Sequence, residues 1–446
     1  RKGNCARATV SGSDRALDQG RTPEKFAYLR DAGIALFPQD GSGLSDQTDA
    51  LVASAAVEDT VPDVAAASRV GAKRLTRAEL LSSLFNDASV SIGIAGTSGK
   101  STTTAILAWL LHDAGRAPTV MNGAVMKNFA GADAAFASAL VGDRDLFVSE
   151  LDESDGSIAL FNPTIAVLHN ISHDHKSMDE LRALFGGYCR RAQRVAINLD
   201  DEETRDIAGT LSAATTYGVE TPDADYTAIN LQALPTGVSF TLVETASGAS
   251  ATVRLAAPGR HNVSNAIAAV AAATRAGVEF VEAAASLETF AGVRRRFDVI
   301  GDAGGVTVID DFGHNPDKIA ATLETLHEFP GRLLVMFQPH GFGPLKTLKR
   351  EFIDVFVEHL AAEDRLFMPE PVYFGGTVDR AVGSEDIAAG VRGGGRNALA
   401  LADRAACGEA ILDEARNGDR IIVMGARDDS LTTFAQGLLE TLRERG

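Results

Sequence analysis

The sequence predicts an α/β protein of three domains, and three observations carry that prediction. At 446 residues the chain is too long for one hydrophobic core, so two to four domains are expected. Short apolar runs alternate with helical stretches along most of its length, the rhythm of strands linked by crossover helices. One of those runs leads into a glycine-rich turn with a lysine and then a helix, the local form of a phosphate-binding loop. Composition agrees, since 45% hydrophobic and 23% charged residues are ordinary values for globular domains.

Taken in order, residues 1–88 alternate short β-rich pieces (8–10 and 51–53) with helical ones (22–32 and 77–85), a small α/β unit. Residues 89–95, SVSIGIA, read as a buried strand. The stretch 101–114 reads as a helix with Ile106, Leu107, Leu110 and Leu111 on its apolar face. Uniformly apolar runs at 146–148, 165–168 and 194–197 have the look of buried parallel strands. Between 226 and 255 the pattern changes to the alternation of antiparallel hairpins, and a helix follows over 262–276. After Arg296 the strand–helix rhythm restarts, with strands at 306–309, 332–337 and 420–424 and a helix over 316–326. The breaks fall near residues 88 and 297, which gives domains 1–88, 89–297 and 298–446.

The bulk chemistry excludes several classes of partner. A formal net charge of −18 argues against a nucleic acid or an anionic membrane, whose usual footprint is a basic patch. Cys5, Cys189 and Cys407 are odd in number and far apart, which argues against a disulfide framework or a zinc site and fits a reducing compartment. The apolar stretch 266–274 is mostly alanine and is cut by Arg275, too short for a membrane span. The opening RKGNCARATVSGSD has no apolar h-region, so no secretory leader is expected. A cytoplasmic protein is the expectation.

The strongest local signal is Gly96-Thr97-Ser98-Gly99-Lys100-Ser101-Thr102 between strand and helix. Glycines let the backbone curl so that successive N–H groups cradle phosphate oxygens, and the helix N-terminus adds positive charge. Lys100 then reaches the β/γ-phosphates and the Ser101 hydroxyl can ligate Mg²⁺. The strict pattern has glycine where this chain has Ile94, so the loop is a variant. The competing reading is a glycine-rich turn with an incidental lysine, against which the flanking strand and helix speak.

Two strand ends follow. Residues 145–155, DLFVSELDESD, put Glu150 at the end of a buried strand, the edge where ligands of parallel sheets collect. Taken alone it is equally a solvated loop carboxylate. Residues 162–175, NPTIAVLHNISHDH, repeat the geometry and deliver Asn170, His173, Asp174 and His175. Carboxylates and imidazoles beside a phosphate loop suggest a metal site, although a histidine ligand by itself points to Mn²⁺ or Zn²⁺ more than to Mg²⁺. Singly, each histidine is better read as capping or packing.

With these residues in hand, the chain resembles the Mur ligases, ATP-dependent amide-forming enzymes of peptidoglycan synthesis, and within them the branch that adds L-alanine. VSGSD at 10–14 and LTRAELL at 75–81 resemble the uridine-nucleotide-binding first domain. GTSGKSTT is similar to the family's GTxGKTTT, ELDESD at 150–155 to its EADESD, and HNISHDH at 169–175 to its TNIxxDH. GRHNVSNAIAA at 259–269, RRRF at 294–297, DDFGHNP at 310–316, FQPH at 337–340 and MGARD at 424–428 follow in the family's order.

The resemblance implies a three-domain architecture: a Rossmann-like first domain, a central phosphate-loop ATPase domain with a mostly parallel sheet, and a Rossmann-like third domain. It implies that Lys100 neutralises the transferring phosphoryl group and that Ser101 and Glu150 hold a Mg²⁺ between the β- and γ-phosphates. His175 would ligate a second Mg²⁺, and Arg296 would reach the γ-phosphate. Asn262 and Asn265, one turn apart on a helix, would recognise adenine; the alternative for that pair is an N-cap and a surface amide. Asp311 and His314 would line the ATP and amine side, with Ser13, Asp14, Gly123, His340 and Arg427 toward the substrates. The implied partners are ATP with Mg²⁺, a UDP-N-acetylmuramate-like nucleotide sugar and a small amino acid, in a monomer or weak homodimer.

The chain also departs from the pattern. It begins just before VSGSD and lacks the glycine-rich strand-turn that opens the family's first domain, which puts uridine-diphosphate binding in question. Gly341-Phe342-Gly343 stands where the alanine-adding branch has an arginine–aromatic pair, so the amine wall is either open or refilled by Phe342, Lys346 or Arg427. Phe312 occupies the usual tyrosine position. No lysine occurs between Lys176 and Asn198 to match the carbamoylated lysine of sister ligases. A peptide-recycling ligase, a divergent paralogue and a non-catalytic nucleotide-binding scaffold are the alternatives. The scaffold needs no joint retention of Lys100, Glu150, His175 and Arg296.

Overall fold

The computed structural model describes residues 8–54, 57–131, 134, 136–172, 176–372, 380–426, 428 and 430–445. Its first part holds two parallel strand pairs, Ser11–Ser13 with Ala35–Phe37 and Ala50–Ala53 with Lys73–Thr76. The strand expected at 8–10 falls instead at Ser11–Ser13. Pairing decides it: Ser11, Gly12 and Ser13 register with Ala35, Leu36 and Phe37, and this partner outweighs the higher β-propensity of the preceding residues. Helix Arg77–Asn86 opens on a capping box, in which the Thr76 side chain accepts from the Glu79 N–H and the Glu79 carboxylate from the Thr76 N–H. At its far end Phe85 is fully buried edge-on against Phe147 and Phe161, which anchors this helix to the central sheet.

Among the described residues the central sheet has ten strands. From one edge they run Ala249–Leu255, Gly237–Glu244, Tyr226–Leu234, Thr215–Val219, Arg194–Asn198, Ile165–Leu168, Val90–Ala95, Asp143–Glu150, Pro118–Met121 and Ala139–Leu140. Val90–Ala95 lies between Asp143–Glu150 and Ile165–Leu168, parallel to both. The three strand ends that carry the sequence motifs are therefore immediate neighbours. The segment read as hairpins is an antiparallel meander at the sheet edge.

Helices Lys100–Asp113 and Arg260–Arg275 share one face of this sheet, and Met178–Arg191 covers the other. The alanine run 266–273 is wholly buried there. Its small side chains let its helix lie close against the phosphate-loop helix. Among the described residues no helix is long and apolar enough to cross a membrane.

Among the described residues the second large sheet has six strands, in the order Asp298–Ala303, Val306–Asp311, Arg420–Gly425, Leu333–Gln338, Arg365–Pro369 and Asn397–Leu401. Only the first pair is antiparallel. Its carboxyl edge presents Asp311, Gln338 and Gly425 side by side, where ligands of open α/β sheets gather.

Candidate active site

The loop 96–99 joins strand Val90–Ala95 to helix Lys100–Asp113. Gly96 has φ +134° and Gly99 φ +80°, and Gly99 caps the helix without any side-chain acceptor on its first N–H groups. A Cβ at Gly99 would stand 2.4 Å from Asn265 Oδ1 and 2.6 Å from His169 Cδ2, so space as well as backbone angle demands glycine. Ile94, the departure from the strict pattern, is fully buried in the strand opposite Glu150 and Val167. The turn begins after it, so a core side chain fits there. Asn170 braces the loop: its Oδ1 accepts from the Ser98 N–H (2.8 Å) and the Thr97 hydroxyl (2.9 Å), and its carbonyl accepts from the Thr97 N–H (3.1 Å).

Helix and neighbouring strand bring the polar groups together. Ser101 Oγ donates to Glu150 Oε2 at 2.8 Å, and the same oxygen accepts the Gly123 N–H at 2.8 Å. A Cβ at Gly123 would lie 2.7 Å from that oxygen, so the carboxylate rests directly on the backbone. Lys100 Nζ donates to the Gly96 carbonyl at 2.6 Å and to Glu153 Oε2 at 2.9 Å. Among the described residues no group of three or more His, Cys, Asp or Glu could hold a metal by itself. The hydroxyl and carboxylate oxygens of Ser101 and Glu150 suit Mg²⁺, which typically takes one or two carboxylates and completes its shell with phosphates and water.

Asn262 and Asn265 are 4% and 2% exposed, which removes the N-cap and surface-amide alternative. The helix N-cap is Gly259, and packing against helix Lys100–Asp113 turns both amides inward. Asn265 Nδ2 donates to Asn262 Oδ1 (3.0 Å) while its own Oδ1 accepts from Thr103 (3.2 Å). Beneath them lies His169, a site residue that sequence reasoning missed. His169 Nδ1 stands 2.8 Å from Tyr217 OH, and that hydroxyl also lies 3.1 Å from the Leu168 carbonyl.

Arg296 projects from the junction of the two large sheets. Arg295 and Phe297 on either side of it have φ of +60° and +48°. Surrounding bonds hold these left-handed conformations: Arg295 donates to the Gly425 (2.7 Å) and Asp428 (2.9 Å) carbonyls, and the Phe297 N–H to Asp311 Oδ2 (2.8 Å). The Arg296 guanidinium lies 4.2 Å from the Phe312 ring centroid. The phenylalanine in the usual tyrosine position is thus the platform for this arginine. Burial pushes the guanidinium pKa down, and Glu150 and Asp311 draw it back up.

One cavity of about 1360 Å³ is lined by the phosphate loop, Gly123, Glu150, Glu153, Asn262, Asn265, Arg296, Asp311 and His314, with helix Arg77–Asn86 closing another wall. Asp311 is largely committed to structure, its Oδ1 accepting from the Gly313 N–H and the Thr322 hydroxyl. His340 is not in that lining but packs edge-on to His314 at 5.5 Å. Ser13 and Asp14 lie apart from it: Ser13 bonds Asp63, and Asp14 caps helix Arg15–Asp18. Phe342 opens helix Phe342–Thr347 with the Arg380 guanidinium 5.7 Å from its ring. Lys346, in the same short helix, is exposed. His173, Asp174, His175 and Arg427 lie outside the described residues.

Burial holds His169 at a pKa of about 4 and His314 at about 3, and lowers that of His261. Below pH 6.5 the unfolded chain takes up protons that these rings refuse, so stability falls as pH drops toward 4. Asp310, raised by burial to about 6, acts in the opposite direction below that value. We expect thermal melts to show less acid destabilisation between pH 7 and 5 in His169→Gln than in wild type, by about 1–2 kcal/mol. Equal slopes would contradict the buried neutral imidazole.

The comparisons with known proteins bear on this geometry. Residues 94–273 match the family model described as Mur ligase middle domain, and 295–427 that described as Mur ligase, glutamate ligase domain. The UDP-N-acetylmuramate–L-alanine ligase of Laribacter hongkongensis is 36% identical over 437 residues, covering 94% of this chain and 90% of that protein. The chain belongs to the Mur ligase family. As a Mur ligase it is an ATP-dependent ligase with the three-domain α/β architecture of that family. The ligase of the same name from Chromobacterium violaceum is also 36% identical, with the same coverage. Among solved Mur ligase structures, the UDP-N-acetylmuramate–alanine ligase of Thermotoga maritima superposes with a TM-score of 0.77 at 24% identity, over 98% of this chain and 94% of that one. A murein peptide ligase of Psychrobacter arcticus gives 0.67 at 24% identity, with the same coverage. These last two likenesses concern the fold alone.

Proposed function

We propose that this chain joins L-alanine to the carboxylate of UDP-N-acetylmuramate in peptidoglycan precursor synthesis, with ATP converted to ADP and phosphate. The observation that carries the reading is the convergence of Lys100, the Ser101–Glu150 pair and Arg296 on one cavity. A carboxylate cannot be attacked by an amine until it holds a leaving group. Phosphoryl transfer from ATP supplies one as an acyl phosphate, and amine attack then gives a tetrahedral intermediate that collapses to amide and phosphate. Such transfer needs charge neutralisation and alignment more than covalent help. Lys100 and Arg296 provide the positive charge, Arg296 being aimed by Phe312.

Ser101 and Glu150 would hold Mg²⁺, which neutralises phosphate charge when bound. Asn262 and Asn265 form a paired amide surface for adenine. His314, whose pKa burial lowers, serves as a hydrogen-bonding wall on the amine side. A second cation at His175 rests on the family resemblance. So do roles for Ser13, Asp14, His340 and Arg427 toward the substrates. We assign residues 1–88 to the nucleotide sugar, 89–297 to ATP and 298–446 to the amino acid. We place the activity in the cytoplasm, in a monomer or weak homodimer, with no nucleic-acid or membrane partner.

For the amine, the 36% identity to two UDP-N-acetylmuramate–L-alanine ligases favours a small side chain, while Phe342 is not part of the cavity lining. ADP release with L-alanine, glycine, L-serine and a muropeptide tripeptide tests this. We expect L-alanine to give the highest kcat/KM, with glycine and L-serine behind by modest factors, since apolar pockets discriminate small groups weakly. A tenfold preference for the tripeptide would overturn the assignment.

A further inference from the structure

The Lys100 ammonium is engaged by groups of its own protein, the Gly96 carbonyl and Glu153. Its bond to Glu153 joins two side chains only 14% and 7% exposed. Glu153 is the member of the acidic run after Glu150 that turns inward. Asp152 and Asp155 are exposed, and their Oδ1 atoms close turns by accepting the Ser154 and Ser157 N–H groups. Glu150 faces Ser101 and Gly123 instead. The lysine of the phosphate loop is therefore neutralised by a buried carboxylate of its own protein.

The surrounding wall deepens the effect. The described lining residues include seven carboxylates against four cations, Arg77, Lys100, Arg296 and Lys318, an excess of three negative charges. The histidines among them add no charge at neutral pH where burial keeps their pKa low. Four of the seven carboxylates, Glu79, Asp152, Asp155 and Asp317, are exposed, so this excess adds only a weaker, solvent-screened repulsion at the rim of the cavity.

We propose that Glu153 is a positioning residue that parks Lys100 in the empty protein and makes nucleotide entry conditional on an accompanying divalent cation. The proposal rests on the ligase reading, in that the loop 96–101 receives ATP. A bare triphosphate must draw Lys100 away and leave the Glu153 carboxylate buried without its partner, a costly state. A nucleotide that carries its own cation meets Glu150 and Glu153 as favourable neighbours. The pair thus selects the cation-loaded nucleotide and keeps the uncomplexed form out.

Isothermal titration of the full chain with ATP, in EDTA and in excess MgCl₂, tests the proposal. Wild type is expected to bind at least about thirtyfold more weakly in EDTA. Glu153→Gln should tighten the EDTA value by about tenfold and change the MgCl₂ value little, because it releases one charge-assisted hydrogen bond. Asp152→Asn, on the same turn but exposed and without a bond to Lys100, should tighten the EDTA value by much less than Glu153→Gln and leave the MgCl₂ value unchanged. Equal wild-type affinity in the two buffers overturns the proposal whether or not the variants fold. So does a folded Glu153→Gln protein with unchanged or weaker binding in EDTA. No binding by wild type in either buffer removes the ligase reading itself, and this proposal with it.

Discussion

Replacing Lys100 by alanine is expected to lower ADP release by about a hundredfold or more while leaving the secondary structure intact. The ammonium sits at the first turn of helix Lys100–Asp113, against the Gly96 carbonyl, where a triphosphate cradled by the loop would meet it. Removing a preorganised charge from a developing phosphoryl transition state costs about 3–4 kcal/mol. The same change strips Glu153 of its ion-pair partner, so the melting temperature should fall as well. Circular dichroism with an ADP-release assay checks both parts. A folded variant that retains more than a tenth of wild-type turnover contradicts the assignment of Lys100.

Glu150→Ala should have the second largest effect. One carboxylate oxygen receives both the Ser101 hydroxyl and the Gly123 N–H, so its loss frees two donors and removes the charged oxygen proposed for Mg²⁺. We expect kcat to fall by about a hundredfold and half-saturation by Mg²⁺ to rise by about tenfold, in line with losing one ligand of a metal held by few protein groups. Ser101→Ala should shift the Mg²⁺ requirement in the same direction by less, since a neutral ligand is lost. Unchanged Mg²⁺ dependence in Glu150→Ala would place the metal elsewhere.

The parts of this site that were legible in the sequence are those fixed by local pattern. A buried strand, a glycine turn and a helix define the loop 96–101 without reference to the rest of the chain. A carboxylate at a strand end is equally local, and Glu150 stands where that reading puts it. What stayed hidden depends on distant partners. The acidic run after Glu150 does not reveal that Glu153 faces Lys100, because the turns closed by Asp152 and Asp155 decide which acid points inward.

His169 is a core residue only because Tyr217, from a strand two positions away in the sheet, reaches its ring. Asn262 and Asn265 were visible as a pair, but their burial follows from helix packing. The strand Asn397–Leu401 carries alanine, leucine and asparagine, and the edge pair Ala139–Leu140 only alanine and leucine, with no strand-forming bias. Only their neighbours in the sheet mark them as strands.

The central claim is that ATP activates the acceptor carboxylate as an acyl phosphate at the cavity holding Lys100, Glu150 and Arg296. Positional oxygen transfer tests it most directly. UDP-N-acetylmuramate labelled with ¹⁸O in its lactyl carboxylate would be turned over with ATP and L-alanine, and the released phosphate examined by mass spectrometry. An acyl phosphate that collapses on amine attack leaves its bridging oxygen with phosphorus, so each product phosphate should carry one labelled oxygen, and the amide the other. Unlabelled phosphate beside labelled amide, or AMP and pyrophosphate as the products, would contradict the account.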